Sequence, residues 1–377
     1  MIENRDIVCF CNDWGGDPLS KTQVVRRLAR KNRILWVNST GIRNPNVSAH
    51  DLGRAWKKLR QFIRGCRGVA ENVWLFAPLV IPFHGNRVAR WINAHWLAAG
   101  LRRACRRLRF RNPITLSFVP SSSAVAGSLG ESRLVYYCVD EYSEFSGTDR
   151  AAIHEMECAL MQKSDVVIVS SSRLYESKRR YNANTFLITH GVDVSHFRKA
   201  CLKETAIPVD CPRGRPVIGF FGLIEDWVDL RVIKHLAVAR PDWAFPVIGE
   251  IRTDVSSLRS MSNIVFLGRK EYQSLPGYCK GFDVAILPFV INELTLAANP
   301  LKLREYLAAG LPVVATPIPE VKRLGNLVHL ATTPEEYLER IEELLARGER
   351  GPRLEASHCM DGESWDSKVE ELSAYVG

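Results

Sequence analysis

The stretch Asn299-Pro-Leu-Lys-Leu-Arg-Glu-Tyr-Leu-Ala-Ala-Gly-Leu-Pro-Val-Val-Ala-Thr316 reads as a helix with both ends marked, followed at once by a buried strand. Asn299 is a good N-cap, and Pro300 suits the first helical position, where a missing N–H costs nothing. Gly310 can take the left-handed conformation that ends a helix, and Pro312 prevents the helix from resuming. Val313-Val314-Ala315 has the character of a strand inside a parallel sheet. One residue breaks the local rule. Lys302 lies in the first turn, where the helix dipole disfavours a cation. A lysine beside free backbone N–H groups suits an anionic ligand, phosphate above all. Glu305, three residues on and on the same face, is placed to accept hydrogen bonds from sugar hydroxyls. The alternative is an exposed Lys–Glu pair on a surface helix.

The flanking sequence gives this helix a context. Before it, a strand at 216–221 reaches Gly222, and strands at 243–248, 263–267 and 283–287 alternate with helices at 227–239 and 271–279. Gly268 and Arg269 follow the third of these strands, and a loop at 288–298 leads into Asn299. After it come a strand at 327–330, a helix at 334–347 and a last helix at 362–375. Such alternation is the mark of a parallel sheet with crossover helices. The segment 200–215, with Pro208, Pro212 and Gly214, reads as an interdomain linker.

The first half repeats the alternation, with strands expected at 7–11, 34–37, 73–76, 114–118, 134–139, 166–170 and 185–188. Ser20 with Gln23 makes a capping box for a helix at 21–31. The opening strand–helix–strand lacks Gly-x-Gly-x-x-Gly, since only Gly15-Gly16 is present, which disfavours a nicotinamide dehydrogenase. The strand at 134–139 ends at Asp140. Ligands of open α/β sheets bind outside the carboxyl ends of strands, so an acid there is a candidate general base. A helix cap or turn residue is the competing reading.

At 377 residues the chain is long enough for two domains, and its 46% hydrophobic and 24% charged residues are those of a globular protein. No apolar run approaches the about 18 residues needed to span a bilayer, and Glu3 and Asp6 beside a short apolar run do not make a secretory signal. The 10 cysteines include no Cys-x-x-Cys pair, and Cys9 and Cys11 share a strand face without further ligands nearby. Reduced thiols in a cytoplasmic protein are the expectation.

The formal net charge of +10 is uneven: residues 1–200 carry 31 Lys+Arg against 16 Asp+Glu. Arg54, Lys57, Lys58, Arg60, Arg64 and Arg67 surround Trp56, Leu59, Phe62 and Ile63. A helix from 86 to about 109 then combines Val88, Trp91, Ile92, Trp96, Leu97 and Leu101 with Arg87, Arg90, Arg102, Arg103, Arg106 and Arg107. Such a helix can lie on an anionic membrane surface. A packing helix with a solvated arginine face is the other reading. Nucleic acid is not expected as a partner, because no recognised binding motif accompanies the charge.

Taken together, the pieces resemble the GT-B glycosyltransferases, most strongly over 184–331. The resemblance runs through His190-Gly191-Val192-Asp193-x-x-x-Phe197, Phe220-Phe221-Gly222, Phe266-Leu267-Gly268 and Pro300-Leu-Lys-Leu-Arg-Glu-Tyr-Leu-Ala-Ala-Gly-Leu-Pro-Val-Val-Ala. More narrowly it is similar to bacterial cell-envelope and exopolysaccharide transferases of the teichuronic-acid-cluster kind. The resemblance implies an α/β fold of two Rossmann-like domains facing each other across a cleft. The acceptor domain would span 1–205, the donor domain 206–360, and a helix at 361–377 would pack back on the first.

It further implies a nucleotide-sugar donor. Lys302 and the helix N-terminus at Asn299 would hold the diphosphate, and Glu305 the ribose. Gly268 and Arg269 would flank the base, and the loop after Gly222 would approach the phosphates. No metal or other cofactor is expected, in keeping with the absence of any Asp-x-Asp. Many retaining relatives carry a glutamate eight positions before the helix glutamate, where this chain has Ala297. Glu293 is offset by four residues. With Asp140 as base, an inverting displacement follows. The acceptor implied is a saccharide, lipid-linked at the inner membrane face. A hydrolysing nucleotide-sugar epimerase and a non-catalytic subunit of the same fold are the rival readings.

Overall fold

The computed structural model describes residues 2–16, 18–38, 65–78 and 87–377. The basic stretch 54–64 and the side chains of Arg87, Val88 and Arg90 lie outside the described residues. The chain divides into two compact units, Met1–Thr189 with Lys368–Gly377, and His190–Ser367.

The first unit is built on β1 (Asp6–Cys11), β2 (Arg33–Asn38), β3 (Arg67–Ala70), β4 (Val73–Phe76), β5 (Ile114–Ser117), β6 (Arg133–Cys138), β7 (Val166–Val169) and β8 (Thr185–Leu187). Their order in the sheet is β3-β4-β2-β1-β5-β6-β7-β8. Every pairing is parallel except β3 with β4. The central strands are apolar throughout because helices cover both faces, as a parallel sheet requires. Val8, Phe10, Leu35 and Val37 meet Leu97, Ala98, Leu101 and Cys105 of helix Arg87–Leu108 on one of them. Helix Ser20–Leu28 begins at Leu19 without a side-chain cap. The expected Ser20–Gln23 box does not form, because Gln23 is buried and accepts from the Arg27 guanidinium at 2.7 Å.

The second unit has β9 (Ile218–Phe221), β10 (Phe245–Ile248), β11 (Ile264–Gly268), β12 (Val284–Leu287), β13 (Val313–Ala315) and β14 (His329–Leu330), in the order β11-β10-β9-β12-β13-β14. All are parallel. Phe220 and Phe221 point to opposite faces, each into its own buried cluster. The segment read as a linker belongs to this unit. Cys211 is buried in its core, and the Lys280 ammonium donates to the Lys203 carbonyl at 3.0 Å. A Cβ on Gly277 would come within 2.7 Å of the Ala206 carbonyl, so that strap lies tight against helix Leu275–Lys280. The last helix, Trp365–Val376, leaves the second unit and ends on the first, with Tyr375 stacked on Phe186 at 4.1 Å.

Candidate active site

Three strands of the second unit end in glycine side by side. Gly222 follows β9 with φ 153°, Gly249 follows β10 with φ 148°, and Gly268 closes β11 with φ 65°. The Gly222 N–H donates to the Ile248 carbonyl at 2.8 Å, and the Gly249 N–H to the Gly268 carbonyl at 2.9 Å. These are backbone conformations that favour glycine. They leave a rim without side chains at the carboxyl edge of the sheet, where ligands of such sheets bind. Gly249 was missed from sequence, although the strand–glycine ending of Ile248-Gly249 repeats that of Phe221-Gly222. A Cβ there would lie 1.7 Å from the Gly222 carbonyl oxygen. Gly249→Ala is therefore expected to destabilise the protein by about 3 kcal/mol, read by chemical denaturation. An unchanged midpoint would contradict the packing described.

Helix Leu301–Ala308 delivers its side chains to this rim. A Cβ on Gly222 would stand 3.1 Å from Cε of Lys302 and 3.7 Å from its Cδ, so the lysine stem lies across the glycine. Among the described residues the Lys302 ammonium makes no hydrogen bond or ion pair. One turn on, the buried Tyr306 hydroxyl accepts the Phe221 N–H at 2.8 Å and lies 3.3 Å from the Phe221 carbonyl, to which it donates. Tyr306 thus ties the helix to the end of β9, and with it fixes Lys302 against Gly222. Glu305 is half-buried on the same helix. Burial pushes the Cys279 thiol well up, and the charge of Glu305 adds to that.

The helix ends as expected. Gly310 has φ 74°, its N–H donates to the Leu307 carbonyl at 2.9 Å, and Leu311 donates to Tyr306 at 3.1 Å. Its start differs. Pro300 occupies the cap position and no side chain caps the helix. The buried Asn299 instead accepts a hydrogen bond from the Arg304 guanidinium, which is itself 4% exposed and lies 3.7 Å from Glu363. An arginine of the same helix has taken the expected cap. Gly268 and Arg269 are exposed at the end of β11. Ala297 is buried at the end of a helix, Glu293–Ala297, that stands where a loop was expected, while Glu293 is exposed in its first turn.

The motif at 190–197 does structural work. A Cβ on Gly191 would come 2.8 Å from the Trp365 nitrogen, Asp193 caps helix Val194–Phe197, and the buried Phe197 stacks on Phe221 at 6.1 Å.

In the first unit Asp140 stands just past β6, half-buried, where the sequence placed it. Its neighbours come from far along the chain. Lys21, 7% exposed, donates to Asn12 Oδ1 at 3.2 Å and sits 5.1 Å from the centre of the Tyr142 ring. Burial pulls the Lys21 ammonium below the ordinary lysine value, and the Asp140 carboxylate is the largest influence opposing that. Behind this loop Lys178 donates to both oxygens of Glu141 at 2.8 and 2.7 Å and to the buried Glu157 at 2.8 Å. Tyr136 donates to the other oxygen of Glu157 at 2.7 Å. This satisfied buried network holds the Asp140-Glu141 turn in place. Composition gave no sign of it.

This is the fold of the GT-B glycosyltransferases. Residues 215–347, the stretch that carries the glycine rim and its helix, match the family model Glycosyl transferases group 1. The chain is 31% identical over 185 residues to the putative teichuronic acid biosynthesis glycosyltransferase TuaH of Bacillus subtilis (strain 168), 46% of each protein being covered. The chain thus spans about half the length of that curated relative. Among solved structures it is similar to sucrose-phosphate synthase from Thermosynechococcus elongatus, with TM-score 0.69, 15% identity and 98% of each chain covered. It is also similar to Anabaena HepE in complex with UDP-glucose, with TM-score 0.67, 12% identity and 98% of each chain covered.

Proposed function

We propose that this chain is a glycosyltransferase that moves a sugar from a nucleoside-diphosphate sugar to a saccharide acceptor. The observation that carries the proposal is Lys302, an unpaired ammonium among the described residues, held across Gly222 at the carboxyl edge of a parallel sheet. Lys302 and the N–H groups of the first helical turn would hold the diphosphate and stabilise the charge that grows on it as it leaves. Glu305 would accept from the ribose hydroxyls, and the Gly268–Arg269 turn would flank the base. Asp140 would take the proton of the acceptor hydroxyl as that oxygen bonds to the anomeric carbon and the bond to the diphosphate breaks, an inverting displacement. No metal is needed on this reading, because the lysine supplies the positive charge.

The match to a protein named for teichuronic acid biosynthesis supports a role in envelope or exopolysaccharide assembly. The acceptor in that role is a lipid-linked saccharide, met at the inner face of the membrane. No helix among the described residues is long and apolar enough to cross a bilayer. The test is product analysis with radiolabelled UDP-, GDP- and dTDP-sugars, each with and without lipid-linked saccharide extract. Label is expected to enter the lipid fraction from one donor. Conversion of a donor to its epimer without acceptor would overturn the proposal in favour of a hydrolysing epimerase.

A further inference from the structure

Helix Arg87–Leu108 has a face that the core does not use. Leu97, Ala98, Leu101, Ala104 and Cys105 are buried against the first sheet. On the opposite side Trp91 is 63% and Trp96 65% exposed, and Arg102, Arg103, Arg106 and Arg107 are exposed as well. The helix contains no Asp or Glu. Among the described residues no carboxylate pairs with these four arginines, and Arg102 reaches only the Ser128 carbonyl, at 3.4 Å. Trp91 is held where it stands: the His95 ring packs 4.2 Å from it, and His95 Nδ1 lies 2.8 Å from the Trp91 carbonyl oxygen.

Residues 91–101, which hold both exposed tryptophans, carry no Lys, Arg, Asp or Glu; Arg87 and Arg90 precede them and four more arginines follow from 102. A surface for single-stranded nucleic acid interleaves stacking rings with cations along the track of the backbone. An eleven-residue stretch free of Lys, Arg, Asp and Glu that presents two exposed indoles, with arginines before and after it, suits a bilayer instead. Indoles lodge among headgroups and upper acyl chains, while arginines along the same helix meet anionic phosphates.

We infer that this helix face is the surface by which the protein docks, in the plane of the interface, on a membrane containing anionic lipid. Trp91 and Trp96 insert, and Arg102, Arg103, Arg106 and Arg107 read the headgroup charge. The inference rests on the acceptor reading above for its purpose, since a lipid-linked acceptor must be met at a bilayer. Its evidence lies in the helix alone.

The experiment is flotation of the full chain with vesicles of phosphatidylcholine, with and without phosphatidylglycerol. It needs no substrate, so its failure and that of the transferase reading are separable. Wild-type protein is expected to float with the phosphatidylglycerol vesicles, and less so as salt rises. Trp91→Ala with Trp96→Ala is expected to lower the bound fraction about tenfold at unchanged melting temperature. Gln at all four arginines is expected to abolish the preference for phosphatidylglycerol. Wild-type protein that stays at the bottom, or a double tryptophan variant that floats like wild type, would overturn the inference. So would displacement from vesicles by short single-stranded RNA, which would mark the face as a nucleic-acid surface.

Discussion

Lys302→Ala is expected to lower kcat/KM for the nucleotide-sugar donor by roughly 10²–10³-fold, about 3 to 4 kcal/mol of transition-state stabilisation. The expectation follows from where the ammonium is kept. Its stem lies on Gly222, its helix is tied to β9 by the Tyr306 hydroxyl, and among the described residues it has no carboxylate partner. A cation at the positive end of a helix dipole is disfavoured unless an anion balances it. The variant should therefore fold at least as well as wild type, with an unchanged or slightly raised melting temperature. Lys302→Met keeps the stem against Gly222 and removes only the charge, so it should lose as much activity as Lys302→Ala. Steady-state kinetics on the two variants check this. Wild-type turnover in either would remove Lys302 from the site.

Asp140→Asn is expected to lower kcat by about 10²–10⁴-fold while leaving the donor KM near wild type. The substitution keeps size and hydrogen-bonding capacity and removes the carboxylate proposed as the base. The turn that carries Asp140 is held by Glu141, Lys178 and Glu157, none of which the substitution touches. A different result would assign Asp140 a purely electrostatic part. If its task is to balance the buried Lys21, the variant would melt earlier and turn over normally, because among the described residues Lys21 would keep the Asn12 hydrogen bond and the Tyr142 ring in place of a carboxylate.

The alternating order of strands and helices was legible because both sheets are parallel and covered on both faces, so their strands are near-continuous apolar runs. Strand β3 was not legible. It is a short edge strand whose residues alternate between half-buried and exposed, and it has no apolar run to announce it. Helix Glu293–Ala297 was passed over for its length, although Asn292 and Thr295 form a capping box. The caps assigned to Ser20 and Asn299 failed for one shared reason. Nearby arginines, Arg27 and Arg304, are buried and satisfy their guanidinium groups on Gln23 and Asn299. Proline and glycine made 200–215 look like a linker, while the apolar contacts of Ile207 and Cys211 make it part of the second unit.

At the candidate site, Lys302 was visible because it violates a helix-end rule, and Gly222 and Gly268 because strands ran into them. What remained hidden was what holds them. Tyr306 is bonded to Phe221, and the charge of Asp140 acts on the buried Lys21, each between segments far apart in the chain that no local pattern relates.

Isothermal titration of UDP, GDP and dTDP into the wild-type protein and Lys302→Met decides whether the second unit holds a nucleoside diphosphate at Lys302. Saturable binding of at least one nucleotide to wild type, weakened at least tenfold in the variant, is the predicted result. Binding of none of the three, or equal binding to both proteins, would contradict it.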